Sequence, residues 1–275
     1  MREAIEVKDL YFSYNGEKFV LRGINMSVRK GEVVAIMGEN GAGKTTLIKH
    51  FNGLLKPLKG YVRVLGKDTK EESVATLSRY VGMVFQNPDH QLFGETVEKE
   101  VEFALRNLGF EDDVVKRRVK WALKLMELDE YRDRSPYTLS VGEKKRLTIA
   151  SVLAYDPEII VMDEPTAGQD ALQKEKIAEI GKLLKHRKKT VIIVTHDVEF
   201  VARRVDRVIL MADGQVIAEG DKRDVLTDLE LLDKARLIPP QIPHIAWLLN
   251  KEGLIDNYKV IHVDELVRIL VNLMK

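Results

Sequence analysis

A short apolar run, Val33–Met37, leads directly into Gly38-Glu39-Asn40-Gly41-Ala42-Gly43-Lys44-Thr45, and a helical pattern containing Leu47 and Ile48 follows. No other feature limits the fold as tightly. The order G-x-x-x-x-G-K-[ST] requires a buried strand, a turn whose glycines let backbone N–H groups wrap an anion without Cβ clashes, and a helix. The first turn of such a helix adds about half a unit of positive charge. Lys44 is placed to reach the β- and γ-phosphates of a nucleotide, and the Thr45 hydroxyl to hold Mg²⁺.

The rest of the chain agrees with an α/β fold built on a largely parallel sheet, because short Val/Ile-rich runs alternate with longer helical patterns. Residues 33–37, 159–162 and 191–195 are apolar on both faces, as strands covered by helices on both sides should be. Polar residues follow each of them: Gly38, Asp163-Glu164 and His196. Open parallel sheets bind ligands at the carboxyl ends of their strands, so three separate segments aim their chemistry at one edge. Before about Lys30, residues 5–7, 11–14 and 24–28 alternate in polarity and predict an antiparallel layer beside the main sheet. Residues 96–108, 111–126 and 141–154 place apolar side chains at three- and four-residue intervals, which predicts a helical subdomain inserted over about 87–155. A hairpin over 208–218 is expected to turn at Asp213-Gly214. After about Gly220 the composition changes: Pro239-Pro240 and Pro243 interrupt short helical segments, and a helix over 263–274 closes the chain. That helix carries two apolar stripes, Leu266, Ile269, Leu270 and Leu273, and Val263, Val267, Val271 and Met274. A helix so widely apolar needs cover on more than one side, from its own domain or from a partner subunit as well.

Composition excludes several alternatives. Lys+Arg 44 against Asp+Glu 43 leaves a net charge of +1, so no global field favours nucleic acid or anionic lipid. The absence of cysteine removes disulfides, thiolate metal sites and cysteine catalysis together, and is compatible with a reducing compartment. No run approaches the ~20 apolar residues that span a bilayer. The charged start Met1-Arg2-Glu3-Ala4-Ile5-Glu6 is unlike a signal peptide, so a role at a membrane would come through a partner.

Asp163 and Glu164 emerge where a buried strand ends, Asp163 placed to support Mg²⁺ and Glu164 to polarise an attacking water. His196 shares their sheet edge, which favours contact with a γ-phosphate and with Glu164 over a purely structural role. Gln86 follows the apolar run 81–85. Spacing alone makes it an ordinary polar turn residue, although its amide oxygen could also ligate Mg²⁺. Ser140 with Glu143 three residues on forms a capping box opening the helix from Val141. Taken alone it is a plain helix cap; beside the other motifs it is a second anion site, which makes sense if it closes over another copy's nucleotide.

In this order the motifs resemble those of the ATP-binding-cassette (ABC) ATPases, over about the first 220 positions. The resemblance implies an ABC-type P-loop NTPase core over 1–220 and a small C-terminal extension over 221–275 that serves dimerisation. It implies ATP and Mg²⁺ as cofactors. Tyr14 matches the aromatic that stacks on adenine, and Gly38, Glu39, Asn40, Gly41, Ala42, Gly43, Lys44, Thr45 and Thr46 match the phosphate loop. Gln86 matches the glutamine loop, so that Thr45, Gln86 and Asp163 would hold the metal. Leu139-Ser140-Val141-Gly142-Glu143 matches the signature, whose Ser140, Gly142 and Glu143 would act in trans. Asp170 falls in the D-loop, and Glu164, His196 and Lys44 would carry catalysis. Three positions depart from the pattern: Val141 for Gly, Glu143 for Gln, and Gln169 for Leu. An acid at 143 would repel a triphosphate unless turned back onto its own helix cap.

Asn87-Pro88-Asp89-His90-Gln91-Leu92-Phe93 and the Pro-interrupted tail are similar to the ATPases of energy-coupling-factor transporters, which import vitamins and transition-metal ions. That likeness implies a second ATPase subunit, a transmembrane coupling protein seated near residues 86–93, a substrate-capture membrane protein, and a peripheral place on the cytoplasmic face of the membrane. A soluble ABC protein acting on ribosomes or DNA is the competing reading. Such proteins usually carry two cassettes or a long coiled-coil insert, and neither is present. A P-loop kinase or GTPase would leave the signature and His196 unexplained. Replacing Lys44 with Ala should weaken binding of a fluorescent ATP analogue roughly ten- to hundredfold, the loss expected for charge-assisted hydrogen bonds.

Overall fold

The computed structural model describes residues 3–273. The chain opens with strands β1 (Glu3–Phe12), β2 (Leu21–Arg29) and β3 (Val33–Met37), followed by helix α1 (Lys44–Ile48). Strands β4 (Lys59–Val64) and β5 (Lys67–Asp68), helix α2 (Val74–Ser78) and strand β6 (Val81–Val84) come next. Helices α3 (Val97–Asn107), α4 (Asp112–Leu125) and α5 (Val141–Ala154) then run to strand β7 (Ile159–Asp163). Helix α6 (Ala171–His186), strand β8 (Thr190–Val194), helix α7 (Val198–Arg204) and the hairpin β9 (Arg207–Ala212) and β10 (Gln215–Asp221) complete the sheets. Helices α8 (Lys222–Leu226), α9 (Leu229–Lys234), α10 (Gln241–Lys251) and α11 (Val263–Leu273) follow.

The main sheet has the order β10-β9-β3-β8-β7-β6, parallel throughout except for the β9–β10 pair. Its central strands are buried on both faces, and the period of two divides their side chains between two cores. Val33, Ala35, Met37, Ile160, Met162, Val191 and Ile193 face the helices. Val34, Ile36, Ile159, Val161, Ile192 and Val194 face the antiparallel layer and α1. That layer has the order β2-β1-β4-β5.

Residues 5–7 and 11–14, expected as separate strands, are one strand, β1, which ends at Phe12. Its register slips between Val7 and Leu10, where Asp9 adopts φ 46°. Asp9 and Asn25 exchange hydrogen bonds of 3.0 and 3.1 Å across this bulge, which hides the strand's continuity from a simple alternation. β4 is not among the expected strands, although Val62-Arg63-Val64 carries the alternation of a half-buried strand.

Arg207 fastens the two sheets together. Its guanidinium donates to both carboxylate oxygens of Glu32 at 3.0 Å and to the Ser27 carbonyl at 3.0 Å. The β9–β10 turn fastens the layer to the phosphate loop: Arg22 N donates to Gly214 O at 2.8 Å, and Gly214 N to Ala42 O at 3.2 Å. Asp213 and Gly214 both have positive φ, the type I′ geometry expected of Asp-Gly.

Leu226, Leu232 and Ala235 of the tail join the helix-side core, whereas α10 and α11 gather Ala246, Ile255, Val260 and Leu266 into a cluster of their own. Pro243 lies in the first turn of α10, where no intrahelical donor is needed, so it does not break the helix. Among the described residues, one stripe of α11 is covered in part: Leu266 is buried and Ile269 and Leu270 pack beside it, while Leu273 of the same stripe and Val263, Val267 and Val271 of the other remain exposed. Met274 lies outside the described residues.

A Cβ at position 214 would fall 2.2 Å from the Val20 carbonyl oxygen, on backbone that cannot yield. Gly214→Ala should therefore destabilise the protein by about 1–3 kcal/mol, read as a lowered urea midpoint with unchanged slope.

Candidate active site

The carboxyl ends of β3, β6 and β7 open onto one cleft of about 340 Å³, lined by Val20, Asn40, Gly41, Gly43, Lys44, Thr45, Thr46, Gln86, Asp163 and Glu164. The loop after β3 keeps its shape because nothing larger than glycine fits at its entry. Gly38 has φ 149°, and a Cβ there would lie 2.2 Å from the Met211 carbonyl oxygen. α1 runs only from Lys44 to Ile48, so the attraction for an anion rests on loop N–H groups and Lys44 more than on a long helix dipole.

Lys44 is buried, and its ammonium donates to the carbonyls of Gly38 at 2.7 Å and Glu39 at 2.8 Å. Burial lowers its pKa, and the carboxylates of Glu164, Asp163 and Glu39 oppose the shift. Thr45 Oγ1 donates to Asp163 Oδ2 at 2.8 Å, joining the start of α1 to the end of β7 through two hard oxygen ligands. Burial raises the pKa of Asp163, and Glu164 adds to the shift, while the Thr45 hydrogen bond, Lys145 and Lys44 offset it. Gln86 lines the same cleft, exposed.

Glu164 continues the sheet through its N–H to Val194 O at 2.8 Å but turns into the left-handed region, φ 47°. That backbone is unfavourable for a side-chain-bearing residue, and it swings the carboxylate back over the sheet edge. Two residues fix it there: Thr195 Oγ1 donates to Oε2 at 3.1 Å, and His196 Nδ1 lies 2.8 Å from Oε1. With the carboxylate ionised, Nδ1 must carry the proton. Thr195, expected only as the last residue of an apolar strand, thus adds a hydroxyl to the site directly before His196.

Ser140 caps α5 as its spacing required, and the capping box is complete. Glu143 Oε2 accepts from Ser140 N and from Ser140 Oγ, both at 2.7 Å. The hydrogen bonds from Ser140 hold the Glu143 carboxyl below its usual range. The acid is thus turned back onto its own cap. Gly142 has ordinary helical backbone, and a Cβ there would meet only Gln169 Oε1, at 3.7 Å. Val141 is exposed.

Several expected residues are not gathered at the cleft. Ser140, Gly142 and Glu143 are absent from its lining. Asp170 caps α6 through Gln173 N at 2.8 Å. Tyr14 is 61% exposed, and its hydroxyl lies 3.2 Å from Thr46 Oγ1, which holds the ring beside the loop's end. Gly38, Glu39 and Ala42 shape the loop from behind, and Glu39 pairs with Arg236 of the tail at 3.0 Å.

Taken together, the cleft offers N–H groups and an ammonium for a polyphosphate, a hydroxyl–carboxylate pair for a hard cation, and a fixed carboxylate that can accept a proton from water.

Comparison with known proteins gives the same picture. The family described as ABC transporter matches residues 21–167. The energy-coupling factor transporter ATP-binding protein EcfA of Methanocaldococcus jannaschii is 44% identical over 273 residues, covering 98% of this chain and 98% of that protein. Among solved structures, CbiO1 from Clostridium perfringens, described as part of the ABC transporter complex CbiONQ, is 37% identical with TM-score 0.73, over 89% of this chain and 99% of that one. The ATP-binding cassette MJ0796, solved as a dimer in a post-hydrolysis state with ADP and Pi, is 30% identical with TM-score 0.73, over 79% of this chain and 98% of that one.

Glu164→Gln keeps the shape of the side chain but removes its basicity. Steady-state phosphate release should fall about 10²- to 10⁴-fold while binding of a fluorescent ATP analogue persists. Near-normal turnover would rule Glu164 out as the proton acceptor.

Proposed function

This chain belongs to the ABC transporter ATPases, and on that premise we propose that it energises an energy-coupling-factor-type importer taking up a vitamin or a transition-metal ion. It is an ATPase whose hydrolysis is coupled to transport. The observation that carries the finer reading is the end-to-end likeness to an EcfA protein, because the matched 98% of the chain includes the tail beyond the cassette.

In this reading the loop N–H groups and Lys44 bind the triphosphate, and Tyr14 stacks on the base. Glu164 accepts a proton from the water that attacks the γ-phosphorus, giving ADP and inorganic phosphate. Thr195 and His196 keep its carboxylate aimed, and His196 also contacts the γ-phosphate. The donor set fits Mg²⁺, since the Thr45 hydroxyl and Asp163 carboxylate already meet, with the Gln86 amide on the same cleft. When bound, the ion would neutralise phosphate charge. A second ATPase, another copy or a sister chain, supplies Ser140 and Gly142 over this nucleotide, and Asp170 belongs to the same interface. The dimeric state of MJ0796 supports such a pairing.

Two surfaces support membrane and subunit partners. Phe93 and Phe103 stack edge-to-face with centroids 4.4 Å apart, both exposed, beside a cleft of about 210 Å³ that also involves Phe85 and Gln91. We read this patch as the seat of the transmembrane coupling protein, which in turn meets the substrate-capture protein. The uncovered Val263, Val267 and Val271 stripe supports a dimerising role for the extension over 221–275. Among the described residues no helix is long and apolar enough to cross a membrane, so attachment to the cytoplasmic face would come through these partners. A soluble cassette acting on ribosomes or DNA is less well supported, given the net charge of +1.

Tagged protein purified from detergent-solubilised membranes should bring down two kinds of multi-spanning subunit, and Phe93→Asp should release them while leaving ATP binding intact. Recovery with ribosomes or DNA in place of membrane subunits would overturn the proposal. Reconstituting the captured subunits in vesicles and assaying uptake of cobalt, nickel and individual vitamins would identify the cargo.

A further inference from the structure

Lys145 is a buried cation that the hydrolytic chemistry described above does not use. It sits one turn into α5, 4% exposed, between the ends of β6 and β7. An ammonium has three N–H donors. Here they meet the carbonyls of Phe85 at 3.2 Å, Gln86 at 2.9 Å and Asp163 at 3.3 Å. If the position needed only filling, an apolar side chain of similar volume would serve without the desolvation penalty. The three acceptors instead belong to the two strand ends that present Gln86 and Asp163 to the cleft. The neighbouring Lys144 adds a second tie, from its ammonium to Asp89 Oδ1 at 2.8 Å, just beyond Gln86. The first turn of α5, which begins at Ser140, is therefore bound to the segment after β6 rather than merely packed against it.

We propose that Lys145 is a positioning residue that makes the placement of Ser140 depend on Gln86 and Asp163, so that nucleotide in one site sets the signature serving the other site. This rests on the reading of a two-ATPase assembly with the signature acting in trans. A nucleotide that draws Gln86 inward moves its carbonyl, and the lysine passes that movement to the opening of α5. Without the tether, each chain would still bind ATP through its phosphate loop, but binding would be less able to prepare α5 for the partner. Coupling of this kind between two sites is worth about 5- to 150-fold in apparent affinity.

The test compares the full-length Glu164→Gln protein with its Lys145→Met and Lys145→Gln derivatives. ATP-driven dimerisation is followed by light scattering over an ATP titration, and binding of a fluorescent ATP analogue to the monomer is measured separately. With Lys145→Met, analogue binding should stay unchanged while the ATP concentration for half-dimerisation rises about tenfold. Lys145→Gln keeps two N–H donors without the charge and should give an intermediate value. An unmoved midpoint in Lys145→Met, or a midpoint that shifts only as far as analogue binding weakens, would overturn the inference. So would a Lys145→Gln midpoint matching that of Lys145→Met, which would indicate lost charge rather than a lost tether. Should Lys145→Met fail to fold, a Lys145→Gln midpoint equal to the parent's overturns it instead. If the Glu164→Gln parent does not dimerise with ATP at all, the pairing of this chain with another copy of itself fails first and takes this inference with it.

Discussion

Two ammonium groups and two carboxylates, those of Lys44, Lys145, Asp163 and Glu164, are held nearly dry at one edge of a parallel sheet. Buried charges survive only when paired and hydrogen-bonded, so every element around them has a partner to supply. Loop carbonyls hold Lys44, strand-end carbonyls hold Lys145, the Thr45 hydroxyl meets Asp163, and Thr195 with His196 holds Glu164. The parallel arrangement of β3, β7 and β8 is what lets these groups meet, because it brings all three carboxyl ends to the same side.

The antiparallel layer and the β9–β10 hairpin hold that edge in place. The Asp213-Gly214 turn wedges between Arg22 and Ala42, and Gly38 passes so close to Met211 that no side chain fits between them. The phosphate loop is thus shaped from behind by segments more than 150 residues away in the chain. Arg207 does the same at the opposite end of the strands, tying Glu32 and Ser27 to β9. A cradle held this way needs little rearrangement to receive an anion, which is the general advantage of preorganised donors.

The central strands, the helices between β6 and β7 and the capping box were legible because each depends on local periodicity or on residues three apart. Val33–Met37 and Val141–Ala154 begin and end where their patterns do. β1 reads as two strands in sequence because its bulge is closed by Asn25, a residue sixteen positions away that no local window includes. The alternation in β4 is too short to stand out from a loop. At the site, Lys44 and Thr45 were visible from the glycine-loop pattern, and Asp163, Glu164 and His196 from their positions at strand ends. Thr195, Val20 and Lys145 were not, since a threonine, a valine and a lysine between two other basic residues carry no signal until their neighbours are known.

The sequence by itself determined the chemistry: a glycine-bearing phosphate loop, two acids and a histidine after buried strands, and a capped helix, each written in a few adjacent residues. Only the tertiary structure decided how those groups are aimed. Glu143 folds onto Ser140, Glu164 enters the left-handed region, Lys145 is driven inward, and α11 covers Leu266 while leaving Val267 exposed. The reason is physical. Periodicity and loop composition depend on neighbours along the chain, whereas burial and hydrogen-bond partners depend on segments that meet only after the sheet has formed.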